Sequence, residues 1–258
     1  MFINKISNSK QELIKQCKLK YKYKYIDKFV GESRNEEALN FGSFIHKVLE
    51  EGVEADSLDE LLTIAEAHKK TYKISFDHRD LTETCLKNFL KFNRQLKETV
   101  GVEFNYTIEI ADGIESTGII DRIVQGDKGG ILIIDYKTSK REKTRFELFK
   151  DGQLMGYAFA VSKEFGVPLD KITCAHFYPR TGNLVAVRYS KSQVVQHVKN
   201  LVGDVWKIRK MKKDEFHASQ NQFCNWCNYY HICPIFETCP NKLEKKLLVE
   251  EDKKKSTE

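Results

Sequence analysis

Gly118-Ile-Ile-Asp121-Arg-Ile-Val-Gln-Gly-Asp-Lys-Gly-Gly-Ile-Leu-Ile-Ile-Asp135-Tyr-Lys137 reads as two β-strands joined by a tight turn. Residues two apart on a strand point to the same face, so Asp135 and Lys137 project together. Asp121 reaches them from the neighbouring strand. Two carboxylates and an ammonium at a strand end suit a divalent cation and a phosphodiester, the pairing that a metal-dependent nuclease needs. The run Ile131-Leu-Ile-Ile134 is continuously apolar, as in a strand buried on both faces in the middle of a sheet.

Working outward, Val102–Ile110 alternates as a strand, and Asp112-Gly113 marks a hairpin turn. Downstream, 144–165 reads as one helix, 172–178 and 184–189 as strands, and 190–212 as a long helix. Upstream, Ser9-Lys-Gln-Glu12 has capping-box spacing and opens a helix that runs through Cys17. Helical periodicity recurs over 35–52, 57–72 and 80–98. The expected fold class is α/β: a mixed β-sheet core flanked by helices, with helices inserted before it and a cysteine-bearing segment after it. The expected organisation is one domain over 1–247, with its core at about 100–212 and the segment 213–240 joined to Cys17. A charged tail, 248–258, lacks apolar residues and is expected to be disordered.

The 258 residues hold 41% hydrophobic side chains, enough for a substantial core, and the net charge of +6 is compatible with nucleic acid without requiring it. No apolar run is long enough to span a bilayer, and the N-terminus has no secretory pattern. The expected location is the cytoplasm, or the host cytoplasm for a viral protein, with no membrane partner. Seven cysteines in a reducing compartment are not a disulfide framework. No Gly-x-x-x-x-Gly-Lys-Ser/Thr phosphate loop is present, which excludes a helicase motor within this chain.

Mg²⁺ takes hard oxygen ligands, which Asp121, Asp135 and the carbonyl of Tyr136 offer. Bound there, a divalent cation polarises a phosphoryl oxygen and acidifies a water. Lys137 is placed to orient the attacking water and to stabilise charge growing on the phosphate. The order Gly-x-x-Asp, turn, buried strand, Asp-x-Lys resembles the PD-(D/E)XK nuclease superfamily, and within it the RecB-type nucleases. The first acidic motif matches Gly118-Ile-Ile-Asp121-Arg, and the second Ile134-Asp135-Tyr136-Lys137-Thr138. A RecB-type motif, Gln-x-x-x-Tyr, matches Gln153-Leu-Met-Gly-Tyr157, whose two polar residues share one helix face. The resemblance implies a restriction-endonuclease-like fold, with Gln153 and Tyr157 beside the active site and Gln153 holding the lysine or the DNA. It also implies an added metal ligand at His46, in Gly42-Ser-Phe-Ile-His46, and imidazole favours Mn²⁺ over Mg²⁺ relative to an all-oxygen site. Glu103 sits where family members often carry an acid before the first core strand.

Cys224-x2-Cys227-x5-Cys233, followed after five residues by Cys239, has ligand spacing, and from spacing alone zinc is the default. The sequence is similar to the RecB-type branch that includes the AddB type and the CRISPR-adaptation nucleases. That branch has an iron–sulfur staple, with one cysteine far upstream and three as C-x2-C-x5-C. The resemblance implies a [4Fe–4S] cluster on Cys17, Cys224, Cys227 and Cys233, with a structural role. Cys239 in place of Cys17 would make a local four-cysteine knuckle. Cys85 and Cys174 read as ordinary buried thiols.

The run Lys18, Lys20, Tyr21, Lys22, Tyr23, Lys24 interleaves cations, which meet phosphates, with rings that stack on unpaired bases. It reads equally as an amphipathic segment with core tyrosines and a solvated basic face. The leading expectation is a Mg²⁺- or Mn²⁺-dependent DNA exonuclease acting on single strands or free ends, in recombination, repair or phage DNA metabolism. A helicase, recombinase or annealing protein would be its partner. A non-catalytic DNA-end-binding or assembly subunit and a structure-specific endonuclease are the alternatives.

Overall fold

The computed structural model describes residues 3–32 and 36–236. Cys239 and the charged tail expected at 248–258 lie outside the described residues. Two compact units emerge, the larger formed by Glu37–Val202 and the smaller by the described residues up to Glu36 together with those from Gly203 on.

The larger unit opens with three helices, α3 (Glu36–Glu51), α4 (Leu58–Lys69) and α5 (Arg79–Asn93). Then come β2 (Thr99–Ala111), β3 (Ile114–Gln125) and β4 (Ile131–Tyr136), the helices α6 (Arg145–Leu148) and α7 (Gly152–Phe165), and β5 (Ile172–Tyr178) and β6 (Asn183–Val187). These strands lie side by side in the order β2, β3, β4, β5, β6. Only the β4–β5 pair is parallel. A mixed sheet with α6 and α7 in its one parallel crossover is the restriction-endonuclease-like arrangement expected from the sequence. The described residues also include β1 (Lys5–Ile6), α1 (Asn8–Gln16), α2 (Lys18–Tyr25) and α8 (Lys191–Lys210), within which the unit boundary falls.

β4 is buried on both faces, as its unbroken apolar run requires. Ile134 and Tyr136 face a core built with Phe41, Phe44 and Ile45 of α3 and Leu86 and Phe89 of α5. Ile131 and Ile133 face a second core built with Leu154, Tyr157 and Val161 of α7. The period of two along the strand therefore sends Asp135 toward α7, and Lys137 just past the strand end follows it. The stretch 144–165 is two helices rather than one. Asp151 breaks it, because its Oδ1 accepts the Leu154 N–H at 3.1 Å and opens α7 afresh.

In the smaller unit the cap of α1 is Ser7, whose hydroxyl accepts from Lys10 N at 3.2 Å, and not the expected Ser9. Cys17 ends α1 in an extended conformation and caps α2 through its sulfur, 3.5 Å from Lys20 N. Hydrogen bonds join the early and late segments of this unit. Leu19 N donates to His217 O at 3.2 Å, Asn221 Nδ2 to Gln16 O at 3.1 Å, and Tyr23 OH to Ile232 O at 3.2 Å. Two small cores accompany them, one of Ile14, Tyr21, Ile208 and Phe216, the other of Tyr23, Tyr229 and Ile232. Among the described residues no helix is long and apolar enough to cross a membrane.

Candidate active site

Asp121 of β3 and Asp135 of β4 come together at the sheet end that also receives α3 and α7. Asp121 Oδ2 accepts the Tyr136 backbone N–H at 2.7 Å, which fixes the first carboxylate against the strand carrying the second. Asp135 Oδ2 pairs with Lys137 Nζ at 2.6 Å. Lys137 Nζ also donates to Gln153 Oε1 at 3.1 Å, and Gln153 Nε2 donates to Tyr157 OH at 2.7 Å. Acid, lysine, amide and phenol thus form one chain of contacts from β4 to α7.

Gly118 explains how Tyr157 is held. It pairs across the sheet with Tyr106, and a Cβ on it would sit 2.6 Å from the Tyr106 hydroxyl. The missing side chain lets the Tyr106 ring lie flat over β3 and meet Tyr157 edge-on, with centroids 6.2 Å apart. Gly42 plays a related part in α3, where an added Cβ would stand 3.1 Å from Thr138 Oγ1. The helix approaches the end of β4 closely there, which carries His46 one turn later to the carboxylates.

His46 Nδ1 lies 3.5 Å from Asp121 Oδ2. Burial lowers its pKa, so the ring is neutral at pH 7 and has a lone pair to offer a metal. Glu103 completes the group. It falls between the pairs Val102↔Arg122 and Phe104↔Ile120, opposite Asp121, with a left-handed backbone (φ 46°). Ligand atoms of His46, Glu103 and Asp121 lie within 4.8 Å of one another.

The electrostatics favour a cation at this place. Burial, reinforced by the charge of Asp135, raises the Asp121 carboxyl well above the usual carboxylate range. Burial and then Glu50 raise Glu103. Carboxylates that hold protons against their neighbours lose that penalty when a divalent cation joins them. Lys137 shows the converse. Burial acts to lower its pKa, yet the charge of Asp135 and the bond to it prevail and hold the ammonium above its ordinary value. One imidazole and converging carboxylates fit a divalent cation of the Mg²⁺ or Mn²⁺ kind.

A family model described as the PD-(D/E)XK nuclease superfamily matches residues 5–234. The chain belongs to the PD-(D/E)XK nuclease superfamily. Membership of the PD-(D/E)XK nuclease superfamily implies a metal-dependent nuclease activity. A solved structure described as the crystal structure of SSO0001 is similar at 17% identity, with a TM-score of 0.41, over 91% of this chain and 88% of that one. No curated protein matches the sequence.

Of the residues singled out in this PD-(D/E)XK nuclease, the structure gathers His46, Glu103, Asp121, Asp135, Tyr136, Lys137, Gln153 and Tyr157 at one place. Cys17, Cys224, Cys227 and Cys233 line a separate small cavity in the smaller unit, with Lys20 at its wall. The charges of Cys227, Cys17 and Cys224 all act on Cys233, whose thiol is raised chiefly by burial. Cys85 and Cys174 are fully buried, as expected. The run 18–24 is helix α2, and of its two readings the structure has the one with core tyrosines: Tyr21 and Tyr23 are buried in the two small cores and present no ring for a base to stack on. Lys22 pairs with Asp27, its Nζ 2.7 Å from Oδ1, and Lys18 is half-buried. Lys24 is exposed, 5.3 Å over the Tyr25 ring.

Glu103 allows a test in which stability and metal binding move apart. Replacing it with glycine should relieve the left-handed strain, stabilising the metal-free protein by about 1 kcal/mol, or roughly 2–4 °C in melting temperature. The same change should weaken Mn²⁺ binding, because a ligand is lost. Thermal melting without metal and a calorimetric Mn²⁺ titration give the two readouts. A lower melting temperature would contradict the strain, and unchanged Mn²⁺ affinity would remove Glu103 from the site.

Proposed function

We propose that this chain is a RecB-type exonuclease that uses Mg²⁺ or Mn²⁺ to hydrolyse single-stranded DNA or free DNA ends. The observation that carries the reading is the Lys137–Gln153–Tyr157 chain of hydrogen bonds, which gives the Gln-x-x-x-Tyr motif a physical task. Gln153 offers Oε1 to the ammonium while its amide nitrogen is occupied by Tyr157, so Lys137 is aimed from two sides, by Asp135 and by Gln153. Asp121, Asp135, His46 and Glu103, with the Tyr136 carbonyl, would hold the cation. Bound there, it supplies Lewis acidity to a phosphoryl oxygen and to the attacking water. Lys137 places a fixed positive charge where negative charge grows on the phosphate. Asp121 and Asp135 neutralise the cation, and burial keeps competing water away.

The second element of the proposal is a [4Fe–4S] cluster on Cys17, Cys224, Cys227 and Cys233. Its support is that Cys17, remote in sequence, lines one cavity with Cys224, Cys227 and Cys233. The branch of nucleases that the sequence resembles acts in end resection, recombination, spacer capture or phage DNA metabolism, with a helicase, recombinase or annealing protein as partner. A cytoplasmic location suits a cluster protein of this kind.

End-labelled linear and circular single-stranded DNA, each with wild type and Asp135→Asn, test the reading. The wild type in Mn²⁺ should degrade the linear strand and leave the circle intact, and Asp135→Asn should degrade neither. Cutting of the circle would make the protein an endonuclease. Activity that survives Asp135→Asn would sink the active-site assignment, and a wild type inert on all substrates would favour a binding subunit.

A further inference from the structure

Beside Asp135, on the neighbouring strand, stands a residue that the nuclease motifs do not include. His176 of β5 pairs directly with Asp135 in the parallel register of β4 and β5, and its side chain is fully buried. Its Nε2 has no hydrogen-bond partner, yet it lies 3.7 Å from Asp135 Oδ2 and 3.9 Å from Asp151 Oδ2. Histidine nitrogens shut away from water are ordinarily satisfied, so an orphan aimed at two carboxylates calls for a reason.

The other ring nitrogen has a donor of its own within reach. Nδ1 lies 3.4 Å from the hydroxyl of Tyr178. That hydroxyl already accepts the Lys143 backbone N–H at 2.8 Å, so its own hydrogen is free to go to Nδ1. With Nδ1 accepting, a neutral ring carries its hydrogen on Nε2, facing the carboxylates.

Asp151 ties this histidine to α7. Its Oδ1 caps the helix at Leu154, and its Oδ2, the oxygen near His176, pairs with Lys143 Nζ at 2.7 Å. Two residues beyond Asp151, Gln153 meets Lys137.

We propose that His176 is a positioning residue: the positive end of its Nε2–H, buried 3.7 Å from Asp135 Oδ2 and 3.9 Å from Asp151 Oδ2, steadies the Asp135 carboxylate for the metal and ties it electrostatically to the start of α7. The proposal rests on the reading of Asp135 as a metal ligand. Hydrogen-bond partners of metal-binding carboxylates orient them, and losing such a partner typically costs about 10- to 100-fold in metal affinity. Asp135 Oδ2 already meets Lys137 Nζ at 2.6 Å, and His176 Nε2 faces that same oxygen, so two positive groups fix which oxygen of the carboxylate stays with the protein.

The test is calorimetric titration of Mn²⁺ into the full-length chain without DNA, with melting temperatures measured alongside. His176→Phe fills the space without a donor, whereas His176→Gln keeps an N–H at similar reach. His176→Phe should bind Mn²⁺ about 10- to 100-fold more weakly than wild type, and His176→Gln should stay close to wild type. A folded His176→Phe protein that binds Mn²⁺ as wild type does would overturn the proposal. So would a His176→Gln protein as weak as the phenylalanine variant, since burial rather than the donor would then be the cause. Should His176→Phe fail to fold, Tyr178→Phe takes its place, because it removes the hydroxyl that sets the tautomer. Weaker Mn²⁺ binding by that variant supports the proposal, and unchanged binding counts against it. Asp135→Asn in the same titration separates the two layers of the argument. If it binds Mn²⁺ normally, the reading of Asp135 itself is wrong and the role of His176 falls with it.

Discussion

Lys137→Met should lower the rate of single-stranded DNA cleavage by about 10²- to 10³-fold while leaving Mn²⁺ binding as tight as in wild type, or tighter. The two halves of this expectation come from one geometry. The ammonium sits 2.6 Å from Asp135 and 3.1 Å from Gln153, with 29% of the side chain still exposed toward the cleft. A positive charge so placed can meet a phosphate, and removing it removes stabilisation that exists only once charge develops there. The same positive charge repels a cation held by Asp135 and Asp121, so its loss cannot weaken that cation's binding by electrostatics. Methionine keeps the length of the side chain and fills the space. Single-turnover cleavage at saturating Mn²⁺, with a parallel metal titration, separates the effects. A variant that cleaves at nearly the wild-type rate would remove Lys137 from the chemistry, and a loss rescued entirely by more Mn²⁺ would recast it as a metal-site residue.

The second large effect is expected in the smaller unit. Cys224→Ser should strip the protein of iron and of its visible absorption, and should lower its melting temperature by about 10 °C, a loss of several kcal/mol for a chain of this size. Among the described residues, this unit includes two small separate apolar clusters, Ile14, Tyr21, Ile208 and Phe216 in one, Tyr23, Tyr229 and Ile232 in the other. Small cores of that kind need a covalent or metal staple. Cys17 sits at the junction of α1 and α2, so a ligand bond to it would anchor both helices. Cys17→Ser should behave as Cys224→Ser does. Retention of full iron by Cys17→Ser, with loss by Cys239→Ser, would move the fourth ligand to Cys239, and zinc in place of iron would replace the cluster with a knuckle.

Much of the larger unit was legible because its signals are local. The apolar run of β4, the two-residue step from Asp135 to Lys137 and the four-residue step from Gln153 to Tyr157 each fix a side chain's direction from spacing alone. What escaped depends on partners far away or on a single dihedral angle. Helical periodicity runs unbroken through 144–165, and only the Asp151 side chain, by capturing the Leu154 N–H, divides it. The alternation Tyr21, Lys22, Tyr23 looks one-sided, but on a helix residues two apart diverge by about 200°. Each tyrosine therefore finds its own core, and neither faces DNA. Glu103 entered the sequence reading through the family resemblance alone, because the left-handed backbone that carries it inside a strand is announced by no local pattern. His176 meets Asp135 through the only parallel pairing among β2–β6, and a lone histidine on a strand carries no sign of that.

The smaller unit joins the beginning of the chain to residues beyond Gly203, and this gives its assembly a timetable. At roughly 5–20 residues per second, the roughly 200 residues between Cys17 and Cys224 take about 10–40 s to synthesise. Throughout that interval α1 and α2 have emerged from the ribosome, while His217, Asn221 and Ile232, which accept or donate their hydrogen bonds, have not yet been made. The Glu37–Val202 unit is complete before those partners appear. The last unit to close is therefore the one whose first residues were made earliest, and a cluster on Cys17 would require that thiol to stay reduced and uncommitted until translation is nearly over.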